Sequence, residues 1–508
     1  MNKKILFAII LLFISTLLLL GVMKGNVDES GELKFQRDFN TEMGGPFESS
    51  GSNSRYALVS ALVENQTFFF SEHLARFSAP DVTAYQGKFF SIFTPGVSFF
   101  TIPFYKAGAI VGIPQIGAYV STMMIALGNM VLVFAIAKKL GVRTVTAGLS
   151  GFLFLFATNA LPYSLTLTQH HLSISVLLLS VLLLFSKPSL ARNIFLGFLY
   201  GCGLLVDIPN GFLLLPIILC AIFQHFTVEH KEKNVTLKIK FVGLFLIVGL
   251  MGPMALFGWY NQTLTGSPTL LGQSIGRSDL ENTTLPATRK TEEPKEIFSP
   301  KYPFYSRHQL NGLYILLISN ERGILYYMPI VLIGLIGLIL SARKNDTKNS
   351  GTVILGVIAA NIMVYSMFGD PWGGWAYGPR YLLPAIALLS CGIGLAIDRY
   401  QRHIIFGILF VILAFYSIRV ATLGAFTTTQ VPPKQEADHL LTFIPYTYAY
   451  NQNLIRENKT HALSYHLFFS RAFSVSQIVM LYQGIVFGSV IILYTISLRK
   501  NRGKGMTL

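Results

Sequence analysis

Residues Gly369 to Pro384 read GDPWGGWAYGPRYLLP and stand between two long apolar runs, 351–368 and 381–398. Each run approaches the roughly 18 to 20 residues that a helix needs to cross a bilayer. The stretch between them holds an Asp, an Arg and two of the three tryptophans in 508 residues. Hydrocarbon does not tolerate glycines, prolines and charges at this density, so the stretch belongs at a membrane surface.

The rest of the chain agrees. Hydrophobic residues make up 52% and charged residues 13%, with mean hydropathy +0.53. That is too apolar for a soluble globular domain, and the expected fold class is an all-α polytopic membrane protein. MNKKILFAIILLFISTLLLLGVMKG, residues 1–25, starts basic like a signal peptide. Its apolar run exceeds the roughly 7 to 15 residues of such a peptide and no small-x-small site follows, so it reads as an uncleaved first span. Cys202, Cys220 and Cys391 all fall in apolar runs and offer neither a disulfide framework nor a metal-ligand spacing.

The formal charge of +16 is spread over short connections: Lys3-Lys4, Lys138 to Arg143, Lys187-Arg192, Lys231 to Lys240, Arg343-Lys344, Arg399-Arg402 and Arg499 to Lys504. This distribution excludes a nucleic-acid-binding domain and follows the positive-inside rule, placing those ends and both termini in the cytoplasm. The expected spans are 4–23, 116–137, 144–162, 172–186, 193–207, 209–225, 241–259, 324–341, 351–368, 381–398, 403–420 and 473–497. The count closes at about 12 if Gly96 to Gly112 lies along the outer surface. Three outer segments are long: Lys24 to Gln115, Tyr260 to Gly323 and Val420 to Phe473. Asn65, Asn261, Asn282 and Asn458 begin Asn-x-Ser/Thr triplets there, as Asn234 does inside.

Polar residues that hydropathy does not require gather on the outer side. SNSRYALVSALVENQ, Ser52 to Gln66, has helical apolar spacing and predicts a helix lying along the surface, with Arg55 and Glu64 near its ends. In the next segment Asp81 and Lys88 flank a Tyr and a Gly, either as a rim ion pair or as a base and a phosphate contact. His170 and His171 start a span; a zinc site needs a ligand from elsewhere, so the reading is no metal. Asp207 ends another span, where a carboxylate is costly to bury and is a functional candidate by default.

In the opening stretch, Gly373-Gly374 permits tight turns, while Trp372, Trp375 and Tyr377 offer flat apolar faces. Gly378-Pro379 delivers Arg380, whose fork-shaped guanidinium matches two phosphate oxygens. Together these residues describe an outer cavity with a carboxylate, several cations, aromatic platforms and an apolar flank, which suits a lipid-phosphate substrate.

RYALVSALVENQTFF (Arg55 to Phe69), GKFFSIFTPGVSFFTIPFY (Gly87 to Tyr105), YNQTLTGSP (Tyr260 to Pro268), ERGILYYMP (Glu321 to Pro329) and WGGWAYGPRYLLP (Trp372 to Pro384) resemble the prokaryotic branch of the protein O-mannosyltransferase and aminoarabinose transferase superfamily. These are GT-C glycosyltransferases, family 39-like, and the resemblance runs from about residue 52 to 384. It implies a GT-C-like bundle, made of an N-terminal module (1–262) and a C-terminal transmembrane half (263–508). It also implies a polyprenyl-phosphate-linked sugar as donor, transfer on the outer face with inversion, a first-loop carboxylate as base, and no metal or cofactor; the acceptor is left open.

The chain departs from that pattern in two places. The Asp-Glu pair that the superfamily carries before the Arg-Tyr of the first loop is matched by Ser52 and Asn53, and an acidic residue of the second outer loop by Gln169-His170-His171. Asp81 is then the expected base, ahead of Glu64 and Asp370, with Arg380, Lys88 and Arg55 on the phosphate. Tyr260, Asn261, Trp372, Trp375 and Tyr377 are expected to line the cavity, and His170 or His171 to bind acceptor or phosphate. A transporter or flippase for a lipid-linked solute, and an inactive polyprenyl-phosphate-binding relative, stand as alternatives.

Overall fold

The computed structural model describes residues 3–25, 48–231, 234–239, 241–278, 306–343 and 348–499. The triplet at Asn282 and the basic residues of 501–504 lie outside them.

Helices dominate, and they occupy every stretch expected to span. The N-terminal half runs α1 (Lys3–Gly21), α2 (Ser50–Glu64), α3 (Glu72–Ser78), a hairpin of β1 (Val82–Tyr85) and β2 (Lys88–Ser91), then α4 (Gly96–Ile110), α5 (Pro114–Lys139), α6 (Thr144–Phe156), α7 (Ala160–Tyr163), α8 (His170–Leu184), α9 (Leu190–Val206) and α10 (Asn210–Phe223). A second hairpin, β3 (Phe226–Lys231) and β4 (Asn234–Ile239), leads into α11 (Phe245–Thr265) and α12 (Gly272–Ile275). The remainder is α13 (Gln309–Leu317), α14 (Ile324–Tyr327), α15 (Val331–Ala342), α16 (Lys348–Ser366), α17 (Leu383–Tyr400), α18 (Ile404–Phe426), α19 (Lys434–Ala437), α20 (Ala449–Arg456) and α21 (Val475–Arg499).

Four helical stretches, Pro114–Lys139, Arg380–Tyr400, Ile404–Phe426 and Val475–Leu498, are long and apolar enough to cross a membrane, and the shorter apolar helices pack among them. Lipid gives no hydrophobic drive for helices to associate, so close backbone approach at small residues does that work. On α9 and α11, a Cβ at Gly197 would fall 1.9 Å from Leu246 O and one at Gly249 1.9 Å from Ile194 O. On α15 and α17, Gly337 and Gly392 meet the same way. Around these contacts one continuous core runs from Leu18 to Tyr494, with Phe152 to Phe156 of α6 fully enclosed.

The all-α expectation needs two corrections. The segment around Asp81 is a β-hairpin, closed by Gln86 and Gly87 at φ 51° and 75°, the left-handed pair that a two-residue hairpin turn requires. The connection from Phe226 to Ile239 is a second antiparallel hairpin. The expected span 144–162 is two helices, α6 and α7, and 324–341 divides into α14 and α15 at Met328-Pro329.

A further correction concerns α2, which does not lie along a surface: Ser52 through Ala61 are buried. Its serines and alanines let α3, the first hairpin and α4 close around it, with Tyr56 against Phe77 and Tyr105 at ring centroids 6.4 and 5.6 Å away. This packed unit shares a second core with the ends of α5, α9 and α11. It carries Arg55 into the interior.

Candidate functional site

The site forms where the α2 unit meets the loop ahead of α17. In that loop Asp370 Oδ1 accepts a hydrogen bond from Gly373 N at 3.0 Å, and Gly373, Gly374 and Gly378 hold φ of 73°, 60° and 60°. Tyr377 serves as its fastener. It donates through N to Tyr163 OH at 3.0 Å and through its hydroxyl to Val420 O, and accepts from Asn159 Nδ2 at 2.7 Å. It is fully buried, so its ring offers no face to a substrate.

The sequence reading passed over Arg322, although it stands in the quoted ERGILYYMP. It is completely buried and donates to backbone carbonyls of Trp372 at 2.9 Å, Gly374 at 3.1 Å, Val431 at 3.0 Å and Glu321 at 2.9 Å. A lone Arg at the head of an apolar run was the signal; three of its four partners lie 50 to 109 residues away and no local pattern announces them.

Arg380 arrives at the crevice half-buried, its guanidinium 5.3 Å from the Tyr381 ring centroid, and its Nε has no hydrogen-bond partner among the described residues. Asp370 and Tyr163 lie within its electrostatic reach. Arg55 comes from the other side, 3% exposed, donating to Gly51 O and Gln169 Oε1 at 2.8 Å each and lying 3.9 Å over the Phe93 ring. Burial pulls its pKa down to about 10, against Asp207 and Asp81 and together with Arg380, so it stays charged at neutral pH.

Asp81 flanks Arg55 across Gly51: a Cβ there would be 3.3 Å from Arg55 Nη1 and 3.6 Å from Asp81 Oδ2. Asp81 is buried, accepts from Ser50 Oγ at 2.7 Å and pairs with the exposed Arg277 at 2.9 Å. Asp207, capping α9, accepts from Gln169 Nε2 at 3.3 Å and lies within reach of both Arg55 and Arg380. His170 sits edge-on to Tyr163 with centroids 5.0 Å apart, also within reach of the two arginines.

So Asp81, Arg55, Arg380, Asp370 and His170 come together, joined by Gln169 and Asp207. Other expected residues go elsewhere. Lys88 is exposed at the hairpin turn, its ammonium 4.3 Å over Phe69. Glu64 is nine residues from Arg55 on α2, roughly 14 Å along the axis, and accepts from Tyr105. Tyr260 packs against Phe68 and Phe99, and Asn261 donates to Pro268 O at 3.2 Å, both within the α2-side core. His171 is held by Ala160 O at 2.8 Å and Asn129 at 3.3 Å. Trp375 donates to Glu436 and packs on Leu440 and Ile444, and Trp372 bonds Glu321. Aromatics chosen as platforms thus lock the loop.

Compared with known proteins, the chain is similar to two crystal structures of ArnT from Cupriavidus metallidurans. The one bound to undecaprenyl phosphate is 12% identical, with 96% of this chain and 77% of that one covered and a TM-score of 0.44. The apo form is 10% identical, with 96% and 76% covered and the same TM-score. No family model matches the sequence, and no curated protein does.

Proposed function

We propose that the protein transfers a sugar from a polyprenyl-phosphate-linked donor to an acceptor on the outer side of the membrane. The observation that carries this reading is that Arg55 and Arg380, from opposite halves of the chain, lie within electrostatic reach of one another and of Asp207, with Asp81 beside Arg55. Two guanidinium groups in a low-dielectric site suit a phosphate, and neighbouring apolar helices suit a polyprenyl chain.

In this reading the acceptor oxygen attacks the anomeric carbon opposite the phosphate, with inversion and without a metal. Its proton passes to Asp81, the bond from that carbon to the phosphate oxygen breaks, and the electron pair stays on the phosphate. Arg380 and Arg55 meet the charge that develops there. This reading takes the chain to cross about twelve times with both termini cytoplasmic, so that these groups lie outside.

The test is to reconstitute the protein with radiolabelled polyprenyl-phosphate sugars and follow release of polyprenyl phosphate. Asp81→Asn is expected to abolish turnover and spare lipid binding; unchanged turnover removes Asp81 from the mechanism. A second reading, a polyprenyl-phosphate-binding relative without activity, is favoured by the engagement of Asp81 with Arg277 and Ser50. Binding without turnover of any donor would select it.

A further inference from the structure

The chemistry above leaves Asp207 without a role. It is half-buried in the crevice, and among the described residues no Lys or Arg lies within ion-pair distance of it. Its hydrogen-bond donors are the side-chain amide of Gln169, which Arg55 holds from behind, and the backbone N–H of Ile208. Both are neutral, and a carboxylate has lone pairs left over to accept from a ligand. His170, next to Gln169 in the chain, is 4% exposed and its Nε2 has no hydrogen-bond partner among the described residues. Tyr365 and Tyr381, within the electrostatic reach of Asp207, stack with centroids 4.7 Å apart at an interplanar angle of 6°.

Carboxylate, amide and imidazole answer the needs of a polyhydroxylated ring: hydroxyls donate to the first and exchange hydrogen bonds with the other two. A phosphate is repelled by the carboxylate and drawn toward the guanidinium groups. The geometry points to Asp207, Gln169 and His170 forming the subsite that reads the sugar hydroxyls of the donor. This rests on the transferase reading and adds the residues that choose the sugar.

The experiment compares binding to nanodisc-embedded protein of bare undecaprenyl phosphate and of undecaprenyl phosphate bearing a neutral hexose, a neutral pentose or an amino sugar. Asp207→Asn is the variant, with Asp207→Ser in its place if it does not fold. The variant should bind the bare lipid within about twofold of wild type and the preferred glycosylated lipid about tenfold more weakly, with narrower preference among sugars. Equal losses for bare and glycosylated lipid, or no loss, overturn the inference. Wild-type protein that binds the bare lipid but prefers no glycosylated one overturns it as well. Failure of wild type to bind any of these lipids overturns the transferase reading itself.

Discussion

Arg55 on α2 and Asp207 at the end of α9 are joined by one side chain: Gln169 accepts from Arg55 Nη2 at 2.8 Å and donates to Asp207 Oδ2 at 3.3 Å. Three segments distant in sequence are thereby set in one arrangement before any substrate arrives. An arginine held from behind meets a developing charge without reorganising, which is where electrostatic catalysis draws its advantage.

Arg380→Ala should weaken binding of bare undecaprenyl phosphate by about tenfold or more, the scale of a lost charge-assisted pair in a dry site. Lys88→Ala should change it by less than about twofold, as expected for an exposed cation resting on Phe69. Titrating the lipid against both variants in nanodiscs checks this; equal losses would place Lys88 on the phosphate after all.

Arg322→Met strips donors from four backbone carbonyls, including those of Trp372 and Gly374 in the loop that delivers Arg380. Each hydrogen bond to a charged group contributes about 1.5–3 kcal/mol, so a clear fall in the apparent melting temperature in detergent is expected, together with weaker lipid binding. A variant as stable as wild type would show that the loop holds its shape without this residue.

Lys24 and Glu48 form an ion pair at 2.5 Å with both side chains buried, and Glu48 also accepts from Thr429 N and Oγ1 at 2.9 Å each and contacts His461. Glu48 directly precedes the Ser49 cap of α2. Glu48→Gln leaves Lys24 buried without a counter-charge and should destabilise by about 3–5 kcal/mol; the Lys24→Met, Glu48→Leu pair should cost much less. Burial pushes the Glu48 carboxyl up, but Lys24 and His461 together hold it below the usual carboxylate range. A depressed carboxylate contributes its stability above its unfolded pKa, about 4.3, and loses it as pH falls toward the folded value. Melting temperatures followed from pH 7 downward should therefore drop below about pH 4 in wild type and less so in the double variant.

Gly378→Ala meets two obstacles: φ of 60°, and a Cβ that would lie 2.2 Å from Asn159 Nδ2 and 2.9 Å from the Tyr327 ring. The strain and overpacking together should cost about 2–4 kcal/mol and displace Arg380 two residues on. Lower thermal stability together with reduced lipid affinity is the expected pair of readouts; an unchanged affinity would mean the loop absorbs the shift before Arg380.

Apolar run length and the scatter of Lys and Arg were enough to place the helices, because a bilayer leaves backbone polar groups few other ways to be satisfied. The importance of the stretch from Asp370 to Arg380 was legible for a similar reason: glycines, prolines and charges that lipid rejects must have other work. What each side chain does there was not legible. Trp375 and Tyr377, read as platforms, are fasteners. The burial of α2, the carbonyl cradle of Arg322 and the Gln169 bridge all depend on partners tens to hundreds of residues away. Hydropathy and local spacing report how a segment meets water or lipid; which polar atoms face one another is decided only when helices close on their small residues and bring distant loops to the same end of the bundle.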